Sequence, residues 1–357
     1  MLFRSGGYNQ STLVPNPNLK PETVTENEVG LEMGMFNNRI SLGISAYQSD
    51  LTDGIVQANT ATSAGALAAL LNASHVRNKG YEIELKTTVV KDRDITWNLN
   101  ANYTYNQNEV ISINGGVTSL ALGGANGNAY ALLGKPFPAI QTRDWIRDAN
   151  GKVIVDAVTG NPSRNSNLTY FGQAVPKYIL GINTSLTWKF VTLNATIDYR
   201  GGAKIFNAIG QYTDFTGISA GSAFTGRQPF VFPNSVTQDA DKNSTPNTSV
   251  ITTDGNFDFW PGLYRNTGGN YITSADAWKL REVSIAFALP ARLLTATKVI
   301  KGGAFIISGR NLVMLRPKSN LWTDPEFSED TSNAVGRTGT NQAPPTRILS
   351  ATLSLTF

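Results

Sequence analysis

The run Ile95-Thr-Trp-Asn-Leu-Asn-Ala-Asn-Tyr-Thr-Tyr-Asn106 decides the fold. Ile95, Trp97, Leu99, Ala101, Tyr103 and Tyr105 fall on one side, and Thr96, Asn98, Asn100, Asn102, Thr104 and Asn106 on the other. Successive side chains of a strand point to opposite faces, so a period of two marks a strand with one apolar and one wet face. The same alternation runs in both directions from here. Upstream, Tyr81, Ile83, Leu85 and Val89 alternate with Gly80, Glu82, Glu84 and Thr88. Earlier still come Val29 to Met35 and Ile40 to Ala46. Downstream lie Tyr178 to Trp188, Val191 to Tyr199, and a segment carrying Val283, Ile285, Phe287 and Leu289. Gly303 to Leu312 alternates poorly, whereas Leu349, Ala351, Leu353, Leu355 and Phe357 alternate cleanly to the end. The pattern predicts about nine long strands, of the length a tilted membrane strand needs.

The connections alternate as well. Asn37-Asn38, Lys91-Asp92-Arg93 and Lys189-Phe190 are tight turns, and Pro290 to Gly302 is a medium link on the same side. The other side carries long loops without evident structure, at about Asp53 to Val76, Ile111 to Pro176, Gly201 to Ala277 and Val313 to Pro345. Short turns at one rim and long loops at the other describe an outer-membrane barrel. The fold class is therefore all-β: an antiparallel transmembrane β-barrel with long extracellular loops. Trp97, Trp188, Tyr103, Tyr105, Tyr178 and Tyr199 sit near strand ends, where amphipathic rings favour the membrane–water boundary. The alternative is a soluble or surface all-β carbohydrate-binding or adhesin module. That alternative explains neither the loop asymmetry nor strands twice the usual globular length of about 5–6 residues.

Composition narrows the chemistry. The 357 residues hold no Cys and one His, which excludes disulfide scaffolds, thiolate metal sites and Cys nucleophiles. No apolar run reaches the roughly 18 residues of a membrane helix. A net charge of +4 without a basic stripe is no nucleic-acid footprint. The segment Met1-Leu-Phe-Arg-Ser-Gly-Gly7 lacks the apolar core of a signal peptide.

Several segments resemble the C-terminal part of the SusC/RagA family, TonB-dependent transporters of the Bacteroidetes outer membrane. They are Asn16-Pro-Asn-Leu-Lys-Pro-Glu22, Val76-Arg-Asn-Lys-Gly-Tyr-Glu-Ile-Glu-Leu85, Gly134-Lys-Pro136 and Val175-Pro-Lys-Tyr178. Gly309-Arg-Asn-Leu312, Asp324-Pro-Glu326 and Pro344-Pro-Thr-Arg347 follow in order. The resemblance covers nearly the whole chain. It implies a 22-stranded barrel filled by an N-terminal plug, of which residues 1–357 would be the C-terminal barrel part, a partial and open barrel because about nine strands cannot close that circumference. Plug, TonB box and the first barrel strands would lie outside this chain. The implied function is outer-membrane TonB-dependent nutrient import, of an oligosaccharide or peptide. The implied partners are a SusD-like surface lipoprotein, TonB through the N-terminal region, the barrel-assembly machinery and outer-membrane lipid, with no nucleic acid.

Candidate chemistry is sparse. His75 is the only imidazole and stands at a loop–strand junction, so no catalytic residue is assigned and no enzyme is expected. Glu82 and Glu84 line a wet strand face. Asp148-Ala-Asn150-Gly151 and Asp239-Ala-Asp241-Lys-Asn243 loosely resemble calcium loops but lack the glycine and glutamate spacing, and read as turns, with Val153 to Val155 returning as a short loop strand. No metal or cofactor is assigned. The loops are rich in aromatics, whose faces stack on sugars while neighbouring Asn and Asp bond hydroxyls. The ligand-binding candidates are Trp145, Asp254, Asn256, Phe257, Phe259, Trp260 and Trp322. The competing reading is that these rings pack the loops against one another.

The chain ends on Phe357, in register with the apolar face. A terminal aromatic resembles the signal read by the barrel-assembly machinery. Losing one ring from a complete barrel removes only about 1.5–3 kcal/mol of apolar burial, whereas losing a signal blocks insertion. Deleting Phe357 from the full-length gene should therefore deplete the folded protein from outer-membrane fractions. Normal surface levels would leave Phe357 a mere belt residue.

Overall fold

The computed structural model describes residues 13–59, 63, 68–122, 128–226, 228–253, 255–290, 292, 294, 299–329, 334–343 and 345–357. Nine long strands form one antiparallel sheet: β1 (Thr23–Met35), β2 (Ile40–Asn59), β3 (Ala68–Lys91), β4 (Ile95–Ile113), β5 (Tyr178–Trp188), β6 (Val191–Gly201), β7 (Ala277–Ala288), β8 (Gly302–Leu315) and β9 (Ile348–Thr356). Each pairs with its neighbours in sequence, from β1 at one edge to β9 at the other, which is the predicted meander.

Register carries the two-faced pattern across every strand. Trp97 lies opposite Leu186, then Leu193, Ile285, Ile307 and Ala351. One residue along, Asn98 lies opposite Ser185, then Asn194, Ser284, Ser308 and Ser350. A slip by one residue would exchange these two rows. The polar row bonds across strands: Thr88 Oγ1 donates to Asn98 Oδ1 at 3.0 Å and Asn194 Nδ2 to Ser284 Oγ at 3.3 Å. The apolar face is left open, with Val29 and Leu349 each 80% exposed, and among the described residues no second sheet covers it. A soluble sandwich would bury that face. In a membrane strand it is the lipid face.

Aromatic rings bound this face at two levels. Tyr81, Tyr105 and Tyr178 stack in a row, with centroids 5.2 and 5.4 Å apart, and Tyr199 meets Trp278 at 4.8 Å. Trp97 and Trp188 stand toward the opposite rim, and the Trp97 indole donates to Thr184 Oγ1 at 2.9 Å. From Ile95 to Tyr105 the strand advances about 33 Å. At the tilt of roughly 40° found in such barrels this gives about 25 Å of depth, the height of their apolar band.

The three tight turns lie at one rim, as expected, and residues 291, 293 and 295–298 of the link after β7 lie outside the described residues. Phe36, Asn37 and Asn38 all take left-handed backbone, which asparagine tolerates better than most residues. Asp92 closes the next hairpin, its amide bonding the Ile95 carbonyl at 2.8 Å, and Lys189, left-handed at the tip of the one after, bonds the Asp94 carbonyl of that neighbouring turn at 2.8 Å.

The opposite rim differs from the sequence reading. The segment Asp53 to Val76 is not a long loop: β2 runs to Asn59 and β3 starts at Ala68, and the two stay paired. Bulges at Gly54 and between His75 and Val76 reset the alternation there, which hides the strands from a period-two reading. Two of the other three loops contain regular elements, whereas among the described residues the third, Val313 to Pro345, has no helix or strand beyond the end of β8. Ser119–Ala121, Ala129–Leu132, Ala139–Trp145 and Arg164–Gln173 form a four-stranded sheet. Val153–Ile154 is the short strand expected there, and it pairs with Ser235–Gln238. Lys204–Phe206 pairs with Ile272–Ser274, and between them lie helices α1 (Ala208–Thr216) and α2 (Ala220–Ala223) and a helical turn, Gly255–Tyr264. The buried apolar residues gather in this canopy and in the strand ends beneath it.

The face assignment has a direct consequence. Ile182 lies opposite Ala101 and Ile197, midway between the two aromatic levels, and Asn183 accepts a hydrogen bond from Thr196 Oγ1 at 2.9 Å on the other face. A charge at the lipid midplane costs about 2–4 kcal/mol. In the full-length protein, Ile182→Arg should sharply reduce heat-modifiable barrel in outer membranes, and Asn183→Arg should leave it near normal. Equal effects would contradict the assignment.

Candidate functional site

Two structural systems meet where the canopy descends on the polar face: an aromatic core in the loops and a charged cluster on the barrel wall. The aromatic core contains three of the predicted ligand-binding residues. Trp145 is 4% exposed, Phe259 0% and Trp260 8%, and they cluster with Phe232 and Ile251. Phe259 meets Trp260 edge-on at 5.1 Å, and Trp260 meets Tyr264 at 4.6 Å. The Trp145 indole donates to Asn270 Oδ1 at 2.8 Å. These rings stack on each other, the alternative weighed from the sequence. Trp322 belongs to a neighbouring cluster with Phe206 and Tyr271. It lies so close to α1 that a Cβ at Gly210 would stand 2.6 Å from its ring, so only glycine fits there. Phe257 projects from the canopy, 77% exposed. Asp254 and the Asn256 side chain lie outside the described residues. Tyr212 and Phe215 on α1 are about half exposed and carry the Arg265 guanidinium over them, at 5.8 and 4.3 Å from the ring centres.

A buried acid holds the canopy helices together. Asp214 accepts from the Tyr271 hydroxyl at 2.7 Å and from the Ser219 hydroxyl, and Ser219 in turn caps α2 by accepting the Ser222 amide at 2.9 Å. Burial pushes the Asp214 carboxyl above its ordinary range despite these two bonds. Burial, with Asp214 nearby, also pushes the Tyr264 hydroxyl up to about 12.

The charged cluster was not among the predicted residues. On the polar face, Asp198 lies opposite Lys279. One residue further, a bulge between Leu280 and Glu282 leaves Arg281 without a partner position on either neighbouring strand. Freed from the ladder, Arg281 reaches Asp198 with two bonds, at 2.7 and 2.6 Å, and also Glu326. Lys279 Nζ bonds both oxygens of Asp324, at 2.6 and 2.7 Å, and Glu326 as well. Arg200 Nε approaches Glu326 Oε1 at 3.0 Å. The segment Asp324-Pro-Glu326 thus descends from the last canopy loop onto the wall. Two signals were present in the sequence: the broken alternation at Arg281, and a charged tripeptide quoted only for its resemblance.

The remaining motifs are structural. Asn72 accepts the Lys20 amide at 2.7 Å and donates to the Lys20 and Asp53 carbonyls at 2.8 and 2.7 Å. This fastens the Asn16-Pro-Asn-Leu-Lys-Pro-Glu22 segment to the end of the β2–β3 hairpin. Leu13–Val14, just before it, pairs parallel with β3 at Ala68 and Ala69. His75 Nε2 lies 2.8 Å from Asp50, which also accepts from Arg77 at 2.8 Å. Asp148 accepts the amides of Asn150 and Lys152, at 2.9 and 2.8 Å, as a turn. Asp239 does the same for Asn243 at 2.8 Å.

A meander of long strands, apolar outside and charged inside, with loops folded over one rim, defines an outer-membrane β-barrel protein. Residues 2–207 match the family described as TonB dependent receptor-like, beta-barrel, and the chain belongs to that family. It is 22% identical, over 96% of its length, to TonB-dependent receptor P26 of Formosa agariphila, of which it covers 35%. Over 28% of its length it is 31% identical to TonB-dependent receptor SusC of Bacteroides thetaiotaomicron, covering 10% of that protein. The fold matches a chain of the RagAB peptide transporter, with a TM-score of 0.70 at 19% identity over 96% of this chain and 36% of that one. The chain thus spans about a third of the length of P26 and of the RagAB chain.

Acid should separate the two systems. Burial would raise the Glu326 carboxyl, but the bonds from Arg281 and Lys279 outweigh it and hold it down to about 2. A depressed carboxyl contributes stability that is full above its ordinary value, 4.5, and lost as pH falls toward about 2. Asp214, raised, has the opposite sign and loses nothing on protonation. From pH 6 to pH 2.5, amide exchange corrected for intrinsic rate should rise across residues 324–329 and change little across α1. A uniform rise would contradict the separate anchoring.

Proposed function

We infer that this chain is the C-terminal barrel part of an outer-membrane importer that takes up an oligosaccharide or a peptide. The observation that carries the reading is the polar inner wall, roofed by a folded extracellular canopy, in a member of the TonB-dependent receptor-like family. In this reading the strands form the lumen wall, and the canopy collects ligand from outside. A SusD-like lipoprotein covers the canopy, and TonB supplies energy through a region outside these residues. Phe357, 68% exposed just past β9, serves the barrel-assembly machinery.

Ligand contact falls to the rings that remain open, Phe257, Tyr212 and Phe215, with Arg265 between two of them. The buried rings, Trp145, Phe259 and Trp260, support that surface from beneath. That RagAB is a peptide transporter favours a peptide, while the exposed Phe257 ring also offers a face of the kind that stacks on a sugar.

The test is growth of a deletion strain on separate panels of oligosaccharides and peptides as sole nutrient. One panel should show a defect, reproduced by loss of TonB. Phe257→Ala combined with Tyr212→Ala should reduce uptake severalfold at unchanged surface level. No nutrient-dependent defect on either panel would refute the import reading.

A further inference from the structure

The charged cluster has an asymmetry of origin. The barrel wall contributes three cations, Arg200, Lys279 and Arg281, and one carboxylate, Asp198. The two carboxylates that complete the balance come from the loop. Lys279, whose side chain is 8% exposed, has no acid of the wall among its described ion pairs, only Asp324 and Glu326. Without the loop the wall would present a cleft of net charge +2. Its three donors would come from adjacent strands, one of them aimed by a bulge.

A wall built only to be neutral would pair Lys279 with an acid of its own sheet, as Glu282 pairs with Arg310 at 3.0 Å a few residues away. Here the matching acids sit on a short arm. Trp322 holds the arm at one end against Gly210. At the other end, Phe206 bonds the Gly336 carbonyl and the Thr338 amide at 2.8 and 3.0 Å. The arm between is held onto the wall by Asp324 and Glu326. Arg200 is 46% exposed and leaves the cleft open to solvent on one side.

We propose that Arg200, Lys279 and Arg281 form a carboxylate-binding site on the inner wall, and that Asp324 and Glu326 occupy it as an internal stand-in until a ligand bearing two closely spaced carboxylates displaces them. The ligand class is an acidic peptide segment, because the stand-in is one: two carboxylates separated by a single proline. No covalent step is involved; one set of charge-assisted hydrogen bonds replaces another. A tethered arm competes at an effective concentration of the order of millimolar, so free ligand exchanges with it only when abundant or when held nearby. That the ligand is imported cargo rests on the function proposed above. The exchange itself does not, and is measured without transport.

The experiment uses the full-length protein in detergent, with acetyl-Asp-Pro-Glu-amide as probe and acetyl-Asn-Pro-Gln-amide as its uncharged control. In the native protein, 10 mM acidic probe should speed amide exchange at Glu326 and Phe327 at least threefold, and the control should not. The double variant Asp324→Asn, Glu326→Gln should bind fluorescently labelled acidic probe at least tenfold more tightly than the native protein does. Adding Arg281→Gln should abolish that gain. If the double variant loses its heat-modifiable barrel, the exchange measurement on native protein decides alone. Native exchange unaffected by the acidic probe, or affected equally by the control, overturns the proposal, as does a folded double variant with no gain in affinity. Any of these results leaves the growth phenotype, and so the import reading, untouched.

Discussion

Everything in this structure depends on backbone hydrogen bonds being closed between neighbouring strands. In hydrocarbon an open N–H or C=O has no water to turn to, so a spanning sheet must be continuous and in register. Because side chains alternate with a period of two, register also decides which groups meet lipid. The rows that begin at Trp97 and at Asn98 are one residue apart and run unmixed across six strands. Outside, the first row meets lipid chains with no polar atom to desolvate except an indole N–H already bonded to Thr184. Inside, the second row supplies its own hydrogen bonds.

The canopy obeys a different rule. Most of its strands are short, its sheets are small, and a core of aromatic rings packs it, with Phe259 wholly enclosed. The two regimes are joined where backbone regularity gives way. The bulge at Arg281 interrupts the ladder and aims a guanidinium that no regular strand position would aim. Bulges concentrate at such rims because one extra residue turns a side chain without ending the strand. The joint between barrel and canopy is thus electrostatic on the wall and apolar around Trp322, two interactions that respond differently to acid and salt.

How much of this was legible follows from the same physics. The nine strands were readable because each has one face in lipid and one in water, and that contrast is written at every second residue from Ile95 to Asn106. The tight turns were readable from Asn37-Asn38 and Lys189-Phe190. The upper halves of β2 and β3 were not, since bulges at Gly54 and His75 shift the phase of the pattern. The canopy was hidden for related reasons: several of its strands have two to four residues and carry too few alternations to register, and the longest, Arg164–Gln173, is broken by register shifts. Among the candidate site residues, aromatic content alone marked the loops and did not separate the enclosed Trp145, Phe259 and Trp260 from the open Phe257. Open and enclosed rings have the same letters, and only packing separates them. The ion cluster joins residues far apart in the chain, Asp198 with Arg281 and Glu326, and the local signals at Arg281 and at Asp324-Pro-Glu326 do not say that the two meet.

The uncharged row Asn98, Ser185, Asn194, Ser284, Ser308 and Ser350 has a consequence of its own. Neighbouring strands stand about 4.8 Å apart, so this row is a shelf of small amides and hydroxyls at nearly even spacing. Each can both give and accept a hydrogen bond. The row therefore offers equivalent partners on six consecutive strands and marks no position among them. The three cations beside the bulge, by contrast, make one place on the wall unlike its neighbours.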